Sequence, residues 1–300
     1  MRAERKVDRT MTESFRLGLC RILVVVVVWL VAGVTGEAAD KTAGVLTVRD
    51  ALTLPNHSVR IEAQLNGKTS TGGPPLGGVV LHLRIDGKEM TTGKTNDAGQ
   101  ASFDYLPKMR GTYVITVSVD EAASITAEKS DATLCVWERR RPILVVELAA
   151  LIQPTLTSTT PAPSPSTAAT GEAAPAPVPE APEELSRLTQ YYYNVVYVPG
   201  GESWPMGNES IGQVRRWLAS HKFPPGFVAM PLSGGLNTTL DTFKQDGWAT
   251  MKSGIGRTKG FAETLLQHRM AVVVVPELPK GELPRKAKAA KDWKEVRKKM

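Results

Sequence analysis

Cysteine and histidine are both scarce. The two cysteines, Cys20 and Cys135, lie on either side of the apolar N-terminal run, and the four histidines (His57, His82, His221, His268) are scattered. That argues against an internal disulfide framework, and no His/Cys group has metal-ligand spacing. Cys135 sits in a strand-like segment and reads as a small buried apolar residue. Aromatic residues make up only 6% of the chain. No long membrane-spanning run stands out either. Ile22 to Val34 is apolar throughout but stops at 13 residues, short of the roughly 20 that cross a bilayer comfortably. Acidic balance is missing only locally. Of the formal net charge of +7, six units come from Lys280 to Met300, so the excess marks a basic tail, expected to be solvated, and not a nucleic-acid-binding chain. Trp293 is the one aromatic in that tail.

Three hundred residues suggest about two domains. Residues 1–39 have a basic start, the short apolar run and small residues around Ala38-Ala39. This is the pattern of a signal peptide or, if uncleaved, an N-terminal membrane anchor. The expected location is therefore exported: secreted, periplasmic or anchored with the bulk outside the cytoplasm.

From 43 to 140 apolar and polar residues alternate, as in Val59-Arg60-Ile61-Glu62-Ala63 and Val79 to Ile85. Asp86-Gly87 and Asn96 to Gly99 are hairpin and turn signals. About seven short strands of this kind predict an antiparallel β-sandwich.

At Pro142 the pattern changes. Ile143 to Val146 is a continuous apolar run, as expected for a strand buried on both faces. Three more such runs follow, Asn194 to Val198, Phe227 to Met230 and Ala271 to Val275, with helical periodicity between them around Leu185, Leu188 and Tyr192, around Val214 to Leu218, and around Phe261 to Leu266. Asn208 is a candidate cap for the second helix. The alternation predicts a Rossmann-like α/β domain over 141–300 with a parallel sheet. Within it, 154–182 is rich in Pro, Ala and Thr and is expected to be disordered, and 280–300 forms the basic tail.

Two resemblances accompany these readings. Pro75 to Val79, Asp86-Gly87-Lys88, Thr95 to Ala101 and Gly111-Thr112-Tyr113 resemble bacterial immunoglobulin-like domains of the invasin and macroglobulin-like kind. Arg141 to Val146, Leu185 to Gly200 and above all Val214 to Gly226 (VRRWLASHKFPPG) resemble the haloacid dehalogenase-like (HAD) phosphohydrolases, on the branch of lipin-type phosphatidate phosphatases. The second resemblance implies an aspartyl-phosphate mechanism. It would use an Asp nucleophile, an acid/base Asp two residues later, a Thr or Ser after the second strand, a phosphate-binding Lys, and Mg²⁺ held partly by acids after the fourth strand.

The residues at those positions depart from the pattern. Glu147 stands for the nucleophile, Ala149 for the acid/base, Leu151 for the next motif Thr, and Pro199 for the second-strand hydroxyl. Lys252 or Lys259 could stand for the lysine, and Glu277 alone for the acids. No catalytic residue is expected from this set. Glu147 and Glu277 are weak metal candidates, too few for a hard cation that prefers several oxygens. The expected function is non-catalytic binding or scaffolding through an unknown protein or surface ligand, without cofactor or nucleic acid. The alternatives are a residual Mg²⁺-dependent phosphatase and an adhesin acting through the sandwich.

Overall fold

The computed structural model describes residues 41–69, 73–154, 175–199, 211–229 and 234–300. The expected N-terminal signal or anchor, most of the Pro-rich insertion, Asn208 and Met230 lie outside them. Among the described residues no helix is long and apolar enough to cross a membrane.

Among the described residues the sandwich has nine strands where the sequence suggests about seven: β1 (Thr42–Val48), β2 (Ala51–Thr53), β3 (Val59–Gly67), β4 (Val80–Ile85), β5 (Lys88–Lys94), β6 (Gln100–Tyr105), β7 (Gly111–Val119), β8 (Ile125–Ala127) and β9 (Ser130–Val136). One sheet runs β6-β3-β1-β8 and the other β2-β9-β7-β4-β5. The first strand is thus split. β1 pairs antiparallel with β3, whereas β2 has crossed over and runs parallel to β9; β1 and β8 are also parallel, so the sandwich is not antiparallel throughout as the sequence suggests. Two sheets sharing their opening strand in this way make an immunoglobulin-like sandwich. Strict alternation drives it. Ile61, Ala63 and Leu65 of β3 and Leu81, Leu83 and Ile85 of β4 point inward, while Arg60, Glu62, His82 and Arg84 point outward. The expected hairpin at Asp86-Gly87 forms, with both residues at positive φ and the Asp86 carboxylate accepting the Val114 N–H at 2.8 Å.

Among the described residues the α/β part has six strands where the sequence suggests four: β10 (Ile143–Glu147), β11 (Asn194–Val198), β12 (Phe227–Val228), β13 (Met251–Gly256), β14 (Ala271–Val274) and β15 (Lys288–Ala289). All pairings are parallel, in the order β12-β11-β10-β13-β14-β15. Five α-helices among the described residues cover it: α1 (Ala181–Tyr191), α2 (Ile211–Ser220), α3 (Gly235–Gln245), α4 (Lys259–Gln267) and α5 (Trp293–Lys299). Leu185 and Leu188 of α1, Trp217 and Leu218 of α2, and Trp293 and Val296 of α5 pack on one face, with Leu144, Val146 and Tyr197. Leu240 and Phe243 of α3 and Phe261 and Leu265 of α4 pack on the other, with Ile143, Val145 and Val196. The sheet is therefore doubly wound, and its strand order reverses between β10 and β13.

Three expectations need correction. Tyr192 is not on the buried helical face; its ring is exposed beyond the end of α1. The basic tail is not merely solvated, because Trp293 and Val296 are fully buried and an apolar pair at i, i+3 suffices to dock one short amphipathic turn. Of the stretch 154–182 expected to be disordered, residues 175–182 are described and ordered. Pro177 bridges to Ile152, the Gln153 N–H donates to the Ala176 carbonyl at 2.9 Å, and α1 has begun by Ala181.

Candidate functional site

In open α/β sheets, ligands bind at the carboxyl ends of the strands where the order reverses. Here that is the end of β10 and the end of β13. Register fixes the pairing, since Val146 lies opposite Ile255. Glu147 closes β10 and Arg257-Thr258 follow β13. Glu147 is 1% exposed. Its Oε2 accepts the backbone N–H groups of Arg257 (2.6 Å) and Thr258 (2.9 Å), and its Oε1 accepts the Thr258 hydroxyl (2.6 Å). Thr258 is also the N-cap of α4, its Oγ1 accepting the Phe261 N–H at 3.2 Å. The side chain of Glu147 thus occupies the anion position at a helix N-terminus.

The surroundings are closed around it. Leu148–Leu151 form a buried 3-10 turn directly after Glu147. The Ala150 carbonyl accepts the Trp293 indole N–H at 3.2 Å, and the Ile152 carbonyl accepts Arg257 Nη2 at 2.5 Å. Burial pulls the Arg257 guanidinium below its ordinary range, opposed by the charge of Glu147. A Cβ on Gly256 would run into the Phe261 ring and come within 2.8 Å of Glu147 Oε2. Only glycine lets the β13 backbone pass this close.

The other sequence-selected residues fall as follows. Ala149 and Leu151 are buried in the 3-10 turn. Pro199 follows β11 and is half-buried. Lys252 is the second residue of β13, at the amino end of the strand, so it lies at the opposite end of the sheet from Glu147. Lys259 opens α4 next to Thr258, but it is exposed and faces Glu263 at 3.8 Å. Glu277 follows the fifth strand, β14, because β13 takes the fourth position. It is exposed and stands one strand farther out than the strand facing Glu147. No group of three or more His, Cys, Asp or Glu placed to hold a metal ion occurs among the described residues.

Sequence reasoning missed Arg257 and Thr258. A Thr three residues before Phe261 is a capping signal that could have found the second. It also missed the seam between the two parts. Asp50, in the short link between β1 and β2, is 1% exposed in its side chain and meets Arg215 of α2 at 2.6 Å. It also accepts the N–H groups of Thr133 (2.6 Å) and Val228 (2.8 Å). Burial pushes the Asp50 carboxyl upward, and Arg215 opposes it. Arg215 Nη1 donates to the Asp131 carbonyl at 2.5 Å.

No family model matches the chain, and no curated protein matches it. Solved structures give distant likenesses. The CARDB domain of the PF1109 protein from Pyrococcus furiosus, in complex with di-metal ions, is 15% identical and matches over 32% of this chain and 94% of that one, with a TM-score of 0.26. The D00-D0 domain of Intimin is 15% identical over 35% of this chain and 52% of that one, TM-score 0.26. XAC1771, a carbohydrate acetylesterase from Xanthomonas citri, is 13% identical over 82% of this chain and 70% of that one, TM-score 0.26. Scores this low assign neither family nor activity. The immunoglobulin-like character of the first module rests on its strand pairing.

Proposed function

We propose that the chain is an exported, non-catalytic binding or scaffolding protein, in which a degenerate HAD-like domain supports an immunoglobulin-like sandwich. The observation that carries this is the state of Glu147. A carboxylate offers about four acceptor sites, and three are engaged by Arg257 and Thr258. A nucleophile needs a free oxygen aimed at open space, and a phosphoryl group needs donors to receive its charge. Here the carboxylate and the helix N-terminus satisfy each other. Ala149 holds no proton to give a leaving oxygen. The strand order, with β10 central and β11-β12 on one side, is compatible with the HAD-like reading, and the residues quoted from the sequence are its other support. Export rests on the pattern of residues 1–39.

The test is turnover of p-nitrophenyl phosphate and phosphatidate with Mg²⁺, by the full chain and by Glu147→Gln. Neither protein is expected to turn over either substrate. Hydrolysis by the wild type that disappears in Glu147→Gln would reverse the reading in favour of a phosphatase.

A further inference from the structure

We propose that the cleft between the sandwich and the α/β part binds an extended acidic peptide; this names a partner chemistry for the non-catalytic binding reading and rests on it. The cleft has a volume of about 1080 Å³ and draws its lining from both modules. Clefts where domains meet are preferred binding positions.

One wall is the outer face of the β6-β3-β1-β8 sheet. Ile61, Ala63 and Leu65 fill the sandwich core, so Glu62 and Gln64 between them face the cleft. Neighbouring strands sit about 4.8 Å apart, so three of them give a flat wall on the order of 10 Å wide, enough for several residues of extended chain. The facing wall is α2 with the turn Phe223 to Gly226, whose Pro224 and Pro225 are apolar.

Charge selects the occupant. Lys68, just past β3, Lys129, between β8 and β9, and Arg216, on α2, all line the cleft. All three are exposed. Arg215, deeper in, is matched by Asp50, Arg60 by Asp104 at 3.4 Å, and Glu62 by Arg49 at 3.6 Å. Asp131 accepts the Thr116 hydroxyl at 2.7 Å. The exposed Glu128 beside Lys129 is the one further lining carboxylate among the described residues, so cations remain in excess. Lys68, Lys129 and Arg216 have no ion pair of their own among the described residues, and they come from three separate elements. Carboxylates spaced along one chain could reach all three, with their aliphatic stems against the prolines. A glycan fits less well. The aromatic lining residues, Tyr197 and Phe223, are 0% and 5% exposed, leaving no open ring on which a sugar could stack.

The experiment is fluorescence polarisation of a labelled deca-glutamate peptide titrated with the full chain. Binding should saturate and weaken as salt is raised toward about 0.3 M, where screening is strong. Lys68→Glu/Lys129→Glu/Arg216→Glu together should weaken it by at least about tenfold, and each single Gln substitution by about threefold. The singles keep the test valid should the triple variant fail to fold. Lys286→Glu/Lys298→Glu, on the basic C-terminal segment, should leave binding unchanged.

Absence of saturable binding overturns the proposal. So does an equal loss in Lys286→Glu/Lys298→Glu, which would assign the peptide to the C-terminal segment, and so does preferential uptake of a sulfated oligosaccharide. A chain that neither binds the peptide nor hydrolyses phosphate esters loses this proposal and keeps the non-catalytic reading. Hydrolysis lost in Glu147→Gln removes that reading directly.

Discussion

At the scale of single residues, the consequence of Glu147 is structural. Its carboxylate satisfies two backbone N–H groups and one hydroxyl at a buried helix start. Removing it leaves donors without partners, each costing about 1–3 kcal/mol when buried. Glu147→Ala should therefore lower unfolding stability by roughly 3 kcal/mol, and Glu147→Gln by less, because the amide oxygen still accepts. Urea midpoints check this, and an unchanged midpoint in the Ala variant would show that the three bonds contribute nothing. His82 makes a second residue-scale case. Its Nδ1 faces Glu89 at 3.0 Å and its Nε2 faces Asp120 at 2.9 Å, with Arg84 near the same Glu89 at 3.6 Å. The hydrogen bond to Asp120, then that to Glu89, raises the imidazole pKa above its usual 6.5. A raised pKa in the fold means stabilisation that is fully present below the unfolded value and lost as pH rises through the folded one. The stability difference between wild type and His82→Gln should thus shrink as pH is raised above 6.5. A difference that is flat in pH would rule the charged clamp out.

At the scale of elements, the C-terminal helix is the sharpest case. α5 is seven residues long and largely basic, yet it buries Trp293 and Val296 and ties Trp293 to the Ala150 carbonyl. A buried Trp→Ala change costs about 3–5 kcal/mol. Trp293→Ala should destabilise the whole α/β part and loosen the 3-10 turn after Glu147. Hydrogen exchange at Leu148 to Leu151 would report it, and unchanged protection there would contradict the coupling. This helix was hard to read in the sequence, since two apolar residues among lysines give no sustained period. β13 was hidden for a different reason. Its sequence, MKSGIG, lacks an apolar run because Gly254 and Gly256 make room for Phe261 and Leu265. The neighbouring side chains supply the bulk that a strand normally carries itself. α3 (GLNTTLDTFKQ) hid behind its threonines, with only Leu240 and Phe243 as buried apolar residues. By contrast, most sandwich strands and β10, β11 and β14 were legible, whereas β5 (KEMTTGK), exposed at nearly every position, and the three-residue β2 were not. Alternation or unbroken β-branched runs reflect burial directly. Glu147 was found as a position, but its partners Arg257 and Thr258 were not, because the contact spans 110 residues.

At the scale of the molecule, the two modules share a continuous interior. Cys135 and Trp137 at the end of the sandwich pack in the same cluster as Ile143, Phe243 and Trp248, and the Trp137 and Trp248 rings meet edge to face at 6.4 Å. Asp50 and Arg215 add a buried ion pair across the seam. Breaking such a pair from one side costs about 3–5 kcal/mol, because it strands a buried charge, whereas replacing both partners with apolar residues of like size can be neutral. Asp50→Ala should therefore lower the melting temperature clearly. Asp50→Leu/Arg215→Met should recover most of the loss. Because the shared core remains in every variant, each should still unfold in one calorimetric transition, with calorimetric and van't Hoff enthalpies in agreement. Two resolved transitions in the wild type would mean that the sandwich and the α/β part are independent folding units and that the packed seam does not couple them. One transition, with the double variant close to wild type, would locate the coupling in the apolar contacts and leave the ion pair the task of fixing how the two parts align.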